Sequence, residues 1–311
     1  MTIEDRQNEE YFVLRIAAAA RLYTLSKKLN NASIMLNVVL MTTITFASLA
    51  LNSDFLTKLI SIEKIDISNW VAVTSILVLT LNNAFIGDKI DLYKEKAAKT
   101  QEEFDRQLFQ LKWNDPLVGR RIRTEDITKH GEWLIRKNGD SKFRDWYPTP
   151  STDLSMAKQI LICQNSCLFW DTSLRNKVNT IIILFGFLII SLAILFALAL
   201  DLTTTSIITN IVALLGPLCD YGFSTYKKNK DSIENNEHLI ECVTTTINNA
   251  YNLSDAQLND MILQIQDQLF IKRKSDWTIP DALYKLLRNS HESIMGRSAE
   301  ELAKILEGKT P

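Results

Sequence analysis

The sequence lacks the short motifs that identify most nucleotide-dependent enzymes and hydrolases. It has no phosphate-binding loop ending in Gly-Lys-Ser/Thr, no Gly-x-Gly-x-x-Gly turn, and no histidine and cysteine pattern typical of a nucleophile with its base. Its 3 histidines are scattered, and no cluster of carboxylates has metal-ligand spacing. We therefore expect a protein that is not an enzyme and has no cofactor.

Strong charge of either sign is also absent. The formal net charge is −1, which gives no support for binding DNA or RNA, because nucleic-acid-binding domains are usually basic. Cys163 and Cys167 are one helical turn apart, but the sequence places no further ligand near them, so we expect no metal site. The first residues, about 30 of them, are polar and charged, and we expect no cleavable signal peptide.

Charge is missing above all from four long apolar runs, and these define the organisation of the chain. They are residues 33–51, 69–87, 178–200 and 205–223, with Asp220 as the one charged residue among them. Each is close to the roughly 20 residues that a helix needs to cross a hydrocarbon core about 30 Å thick. The runs therefore predict four transmembrane helices in two hairpins.

The basic residues indicate the orientation. With four crossings, the N-terminal tail, the central insert and the C-terminal region share one side, and they hold 33 of the 35 lysines and arginines. By the positive-inside rule, that side is the cytoplasm, so we predict a multi-pass inner-membrane protein with both termini cytoplasmic. The external loops, 52–68 and 201–204, are too short for a receptor domain, and the cytosolic cysteines are not expected to form disulfides.

Helical periodicity predicts the rest of the fold. Leu258, Ile262, Ile265 and Leu269 form the apolar stripe of a packed helix. We predict an all-α membrane protein whose cytosolic domain is built from three separate segments. The predicted divisions are an N-terminal helix at 1–32, the first hairpin at 33–87, the helical insert at 88–177, the second hairpin at 178–226 and C-terminal helices at 227–311.

Several short motifs follow one another in an order typical of one family. They are Phe104-Asp105, Phe109-x-Leu111-x-Trp113-Asn114, Trp146-Tyr147-Pro148, Ile162-Cys163-Gln164-Asn165, Trp170-Asp171 with Leu174-Arg175, and Pro280-Asp281-x-x-Tyr284 with Arg288. In this order, with two hairpins around the insert, the chain resembles the SMODS-associating four-transmembrane effector family over roughly residues 8–302. It departs from the family pattern at Lys112, where proline is expected, and at Phe169, where a second tryptophan is common.

The resemblance implies a function that composition alone does not. Members of this family accompany bacterial cyclic-oligonucleotide-based antiphage signalling systems (CBASS). By that resemblance, the chain is expected to bind a cyclic di- or oligonucleotide on its cytosolic side and then disrupt or permeabilise the inner membrane, as a homo-oligomer in contact with the lipid bilayer. Growth arrest or death of the infected cell is the expected result.

A cyclic oligonucleotide offers phosphates and bases, which guanidinium groups, aromatic faces and amides bind. The insert supplies all three, and the candidate ligand residues are Trp113, Asn114, Arg120, Arg121, Arg123, Tyr147, Gln164, Asn165, Trp170, Asp171 and Arg175. Other roles stay open for them. The two tryptophans Trp113 and Trp170 are equally typical of a hydrophobic core, and the arginine cluster of a solvated or lipid-facing surface. Asp171 and Arg175 have the spacing of a structural salt bridge.

Polar residues near the cytosolic ends of the spans form a second candidate set. Asn37, Asn82, Asn83 and Asp220 lie there, together with Thr180, and they are candidates for the lining of a pore or gate. Gly216-Pro217 precedes Asp220 and predicts a kink. The alternative is that these residues mark the headgroup boundary.

Two other functions fit the same topology. The polar asparagine and aspartate residues near the cytosolic ends of the spans would also suit a constitutive channel or transporter for an ion or metabolite. The cytosolic helices would suit a membrane scaffold that recruits a protein partner.

Overall fold

The computed structural model describes residues 2–51, 63, 65, 67–149, 154–199, 213–279 and 292–308. The regular secondary structure in these ranges is helical, which confirms the all-α part of the predicted fold class. The α-helices are α1 (Ile3–Gln7), α2 (Glu10–Ile34), α3 (Met41–Leu51), α4 (Ser68–Leu81), α5 (Asp88–Leu108), α6 (Asp115–Val118), α7 (Thr124–Asn138), α8 (Met156–Ala199), α9 (Ala213–Asn248), α10 (Asp255–Ser275) and α11 (Glu292–Leu306). Met35–Leu40 and Asn82–Gly87 are π-helical, and Ser141–Phe143 is a 3₁₀ turn.

The chain divides into two compact units. Unit 1 comprises Met1–Lys27, Asp91–Lys177 and Asn229–Pro311, and unit 2 comprises Lys28–Ile90 and Val178–Lys228. Four helices, α2, α5, α8 and α9, contribute residues to both units. Unit 1 is thus assembled from three segments that are far apart in sequence.

Small residues in unit 1 let α2 pack closely against its neighbours. Ala17, Ala18 and Ala19 are buried. Gly131 on α7 is also buried, and a Cβ atom added there would lie 2.6 Å from the backbone oxygen of Leu14 on α2. The distance between two packed helix axes depends on the side chains at the contact, and small residues allow a short distance.

Aromatic rings join α2 and α5 to the segment before α8. Phe12 meets Phe104 edge to face with 5.8 Å between ring centroids, and Phe104 lies 6.2 Å from Tyr147. Phe109 completes the group at 5.4 Å from Tyr147. These four rings are almost fully buried, and each adds apolar area to one core. The α10 stripe predicted from the sequence lies in that core and is confirmed.

Unit 2 exposes apolar side chains along its helices. In α8, Phe187 is 67% exposed and Leu198 is 73% exposed, which is unfavourable for a surface in contact with water. Met156–Leu195 is the one helix in the described ranges that is long and apolar enough to cross a membrane. The shorter apolar stretch Asn69–Val78 lies in α4, which packs against α3.

Some predicted features fall outside the described residues. The fourth predicted span is described only from residue 213, and the predicted external turn 201–204 is not described. The same holds for most of the loop 52–68 and for the motif residues Pro280, Asp281, Tyr284 and Arg288.

Candidate ligand-binding site

A group of paired charges at the end of α10 joins three helices of unit 1. On α8, Arg175 donates from Nε to Asp171 at 2.7 Å, as their spacing predicts, and from Nη2 to Asp276 at 3.0 Å. Lys272 donates to Asp171 and lies 2.8 Å from Asp276. Asn229, Ser232 and Asn236 of α9 bind the same side chains. We call these seven residues the Asp171 network.

The Asp171 network is sheltered from water and electrostatically balanced. Burial by itself would raise the pKa of Asp171, but the positive charges of Lys272 and Arg175 outweigh it and hold that pKa well below its usual range. The side chain of Arg175 is only 5% exposed; burial by itself would lower its pKa, but the charges of Asp171 and Asp276 outweigh that effect and raise it. Each charge in the network is therefore stabilised by its partners.

A second set of buried polar groups connects α5, α8 and α10. Glu102 accepts from Arg106 Nε at 2.5 Å and from Gln266 Nε2 at 2.8 Å. Asp105 accepts from Tyr147 Oη at 2.7 Å and also pairs with Arg273. Two further members are Gln164, which donates to Gln266, and Asp267, which pairs with Arg106. We call these eight residues the Glu102 network.

The pKa of Glu102 is raised to about 7, first because it is buried, and the charge of Asp105 adds to the effect against the opposing Arg273. Burial likewise raises the pKa of Tyr147 well above its usual value. A carboxyl group with such a pKa can change its charge near neutral pH.

A groove runs between α9 and α10 on the surface of unit 1. It has a volume of about 530 Å³, in the range of about 300–1,000 Å³ that is usual for small-molecule sites. The α9 wall is formed by Ser232, Asn235, His238, Leu239 and Cys242, and the α10 side by Met261, Gln264, Ile265, Asp267, Gln268, Ile271, Lys272, Ser275 and Asp276. We call this the α9–α10 groove, and Lys272, Ser232 and Asp276 connect it to the Asp171 network.

The predicted loop residues take structural positions on the other flank of α10. Trp113 is half-buried against Phe270 and donates from its ring nitrogen to Gly119 O at 2.9 Å. Arg121 lies over the Trp113 ring, with its guanidinium carbon 4.9 Å from the centroid. Asn114 accepts from the Leu117 amide at the start of α6. Arg120 and Arg123 are exposed, and neither lines the groove.

The predicted residues on α8 are mostly internal. Gln164 is buried and donates to Ile262 O at 3.0 Å, while its side-chain oxygen has no hydrogen-bond partner among the described residues. The buried side-chain oxygen of Asn165 also has none in that part of the chain. Trp170 is partly buried. Three residues of the predicted set contact groove residues. Asp171 and Arg175 pair with Lys272 and Asp276, and Asn114 donates to Asp267 at 2.9 Å.

The candidate pore residues of unit 2 lie mainly at the π-helical segments. Asn37, in the first segment, donates to Ser33 O of its own helix at 2.8 Å. Asn82 begins the second segment, and its buried side-chain oxygen has no hydrogen-bond partner within the described ranges. Asp220 and Thr180 are exposed, and Asn83 belongs to the second segment, its side chain lying outside the described atoms. Single π-helical turns recur at functional sites, where they break the regular backbone pairing.

Sequence reasoning missed the α9–α10 groove and the residues of α10 that define it. Lys272, Arg273 and Asp276 sit at the basic C-terminal end of that helix, where a cation is normally explained by the helix dipole. A usable signal was present in Gln266, a polar residue between the apolar positions Ile265 and Leu269 and fully buried. Such an amide requires an internal partner.

Comparison with known proteins gives two matches. A family model described as the SMODS-associating 4TM effector domain matches residues 1–302. A Bacillus cereus (strain VD146) protein, named as a probable CBASS effector molecule, is 28% identical over 207 residues. That alignment covers 65% of this chain and 68% of the relative. No solved structure matches.

Proposed function

Because the chain belongs to the SMODS-associating 4TM effector family, we propose that it is a membrane effector of antiphage defence that is switched on by a cyclic oligonucleotide. In this proposal, unit 1 binds the nucleotide and unit 2 permeabilises the inner membrane. The family match carries the proposal, and it confirms the resemblance identified from the order of the motifs. The relative named as a probable CBASS effector supports the same assignment.

The composition of the two units supports this division of labour. Unit 1 contains both polar networks and the α9–α10 groove, which are features suited to recognising a polar ligand. Unit 2 contains the apolar part of α8, whose exposed leucine and phenylalanine side chains suit a lipid environment. The positive-inside distribution of lysine and arginine supports a cytosolic location for unit 1.

We propose that permeabilisation requires several copies of the chain. One protomer has four predicted spans, and a bundle of four helices fills its own interior with side chains. A water-filled path would therefore form between protomers, or after the hairpins rearrange. Asn37, Asn82, Asn83 and Asp220 are the candidate lining residues, because polar groups in a span are costly unless they meet water or one another.

Dye release from liposomes tests the proposal. Purified full-length protein is reconstituted into vesicles that contain a self-quenched dye, and cyclic di- and trinucleotides are added one at a time. We expect no release without nucleotide and rapid release with at least one of them. Asp220→Asn is expected to alter the release rate while leaving nucleotide binding unchanged.

The other outcomes would overturn the proposal in distinct ways. Release without nucleotide indicates a constitutive channel. Nucleotide binding without release indicates a scaffold that signals to a protein partner. If no cyclic nucleotide either binds or causes release, the nucleotide-gated function is wrong.

A further inference from the structure

We infer that the α9–α10 groove is the nucleotide site of unit 1, with a base against its amide-bearing walls and a phosphate at its Lys272 end. This inference rests on the proposed function, because the choice of a nucleotide as occupant comes from there. Of the ligand candidates predicted in the insert, this inference keeps Asp171 and Arg175 beside the site and leaves out the arginine cluster. The groove is built by the C-terminal helices instead.

Three amide side chains in the groove are available to a ligand. Asn235 on α9 and Gln264 and Gln268 on α10 are exposed and line the groove. In the part of the chain that the structure describes, none of these three amides makes a hydrogen bond. An amide group can donate and accept at the same time, which matches the paired donor and acceptor atoms on the edge of a nucleobase.

Apolar side chains form the part of the groove that a base would cover. Leu239 on α9 and Met261 on α10 are half-buried and line it, and Ile271 is 41% exposed beside them. Burying that apolar surface under a base is favourable by about 25 cal/mol per Å² of area removed from water. The groove therefore combines an apolar floor with a few polar groups, the usual composition of a small-molecule site.

Two ammonium groups lie at one end of the groove. Lys272 lines it, and Lys94 of α5 reaches the same end, with its Nζ 3.4 Å from Ser275 O. Lysine binds phosphate as a point charge. Both ammonium groups already have carboxylate partners: Lys94 pairs with Asp91 at 3.2 Å, and Lys272 pairs with Asp171 and Asp276. Arg175 also pairs with Asp171 and Asp276, so a phosphate could take over Lys272 while these two carboxylates keep a cation.

Phosphate binding at this end would change the Asp171 network. Lys272 holds Asp171 of α8, and a phosphate oxygen at Lys272 would compete with that carboxylate. Asp171 and Arg175 belong to the helix that continues as the apolar stretch of α8. Nucleotide binding would thus be sensed by the helix that, in the proposed function, enters the membrane.

Matched charge variants on α10 test the position of the site. Gln264→Glu and Gln268→Glu each place a carboxylate in the groove, whereas Asn259→Glu places one on an exposed part of the same helix outside it. Affinity is measured by calorimetry with full-length protein and the cyclic di- or trinucleotide that gives the largest thermal shift. We expect each groove variant to bind at least tenfold more weakly and Asn259→Glu to stay within twofold of the wild type.

Cys242 provides a readout of occupancy that needs no substitution. It is half-buried in the α9 wall, and its sulfur lies 3.8 Å from Nδ1 of His238. A bound nucleotide should protect Cys242 from maleimide, as measured by peptide mass spectrometry, while the corresponding linear mononucleotide at the same concentration should not. The variants and this protection are both measured on folded protein, checked by circular dichroism.

The results separate this inference from the proposed function. If a cyclic nucleotide binds the wild type but the groove variants bind it equally well and Cys242 stays reactive, the groove is wrong and the effector function stands. If no cyclic nucleotide binds or releases dye, the function itself is wrong. Weakened binding in both groove variants together with protection of Cys242 establishes the site.

Discussion

Lys272 on α10 donates to the carboxylate of Asp171 on α8 across 101 residues of sequence. The lysine is 13% exposed and the aspartate 27% exposed, so water screens their attraction only in part. The same ammonium group holds Asp276 at 2.8 Å. One lysine therefore ties the end of α10 to a helix that contributes to both units.

We predict that Lys272→Met lowers the free energy of unfolding by about 1–3 kcal/mol, because Asp171 loses one charged partner but keeps Arg175. Chemical denaturation of full-length protein in detergent measures the change. Lys274→Met is the control, since Lys274 is 48% exposed and its pair with Glu95 spans 3.6 Å, and it should cost less than about 1 kcal/mol. Equal losses of unfolding free energy in the two variants would show that the Lys272–Asp171 pair stabilises the fold no more than an exposed pair does.

The raised pKa of Glu102 predicts a pH dependence of stability. The folded protein holds a proton on Glu102 up to a pKa of about 7, whereas an unfolded glutamate has its ordinary value of 4.5. Protonation therefore favours the folded state. The contribution is full below the unfolded pKa and is lost as pH rises through the folded pKa, with a limit of about 3 kcal/mol.

Glu102→Gln removes this proton equilibrium while keeping the shape of the side chain. We expect the melting temperature of the variant to change less than that of the wild type between pH 5 and about 7.5. Glu125→Gln, at an exposed position, should keep the wild-type slope. A slope in Glu102→Gln as steep as in the wild type would assign the pH dependence to other groups.

Much of the fold could be predicted, because the pattern of apolar residues indicates directly which side chains are buried in a core or in contact with lipid. The α10 stripe from Leu258 to Leu269 and the helical character of the chain both follow from periodicity, and the structure confirms them. The Asp171–Arg175 pair followed from local spacing, since both partners lie on one helix turn. Of the four predicted membrane crossings, the three other than α8 stay a prediction.

The candidate site was harder to predict, because its residues meet only through tertiary packing. Lys272 and Asp171 are not near each other in sequence, and neither is unusual for a helix surface. Trp113 is a ligand candidate from the sequence with a core role left open, because tryptophan suits both base stacking and a core, and one sequence cannot separate the two. A groove depends on which helix faces are left uncovered, and that information is absent from any single segment.

At Gly131, α7 and α2 lie too close together to accept a larger residue without movement. In Gly131→Ala, the new Cβ would lie 2.6 Å from Leu14 O, and backbone cannot move aside as a side chain end does. We expect a loss of about 1–3 kcal/mol of stability, measured by denaturation. Gly296→Ala is the matched control, because no described residue lies within 4 Å of its added Cβ and the helix should gain up to about 1 kcal/mol. Similar effects at both positions would mean that α7 shifts without cost.

Variants at Trp113 and Arg121 distinguish a packing role from an electrostatic role for the ligand candidates in the insert. Trp113→Ala removes a ring that packs against Phe270 and should lower stability by about 1–3 kcal/mol with or without nucleotide. Arg121 is exposed over that ring, so Arg121→Ala should cost less than about 1 kcal/mol of stability.

If the arginine cluster attracts the anionic nucleotide, Arg121→Ala slows nucleotide association a few-fold at low salt, and the difference fades as the salt concentration rises. Stopped-flow binding at several salt concentrations measures this. An unchanged association rate at low salt would leave the cluster as a solvated or lipid-facing surface, because a charge that guides a ligand must act most strongly where it is least screened.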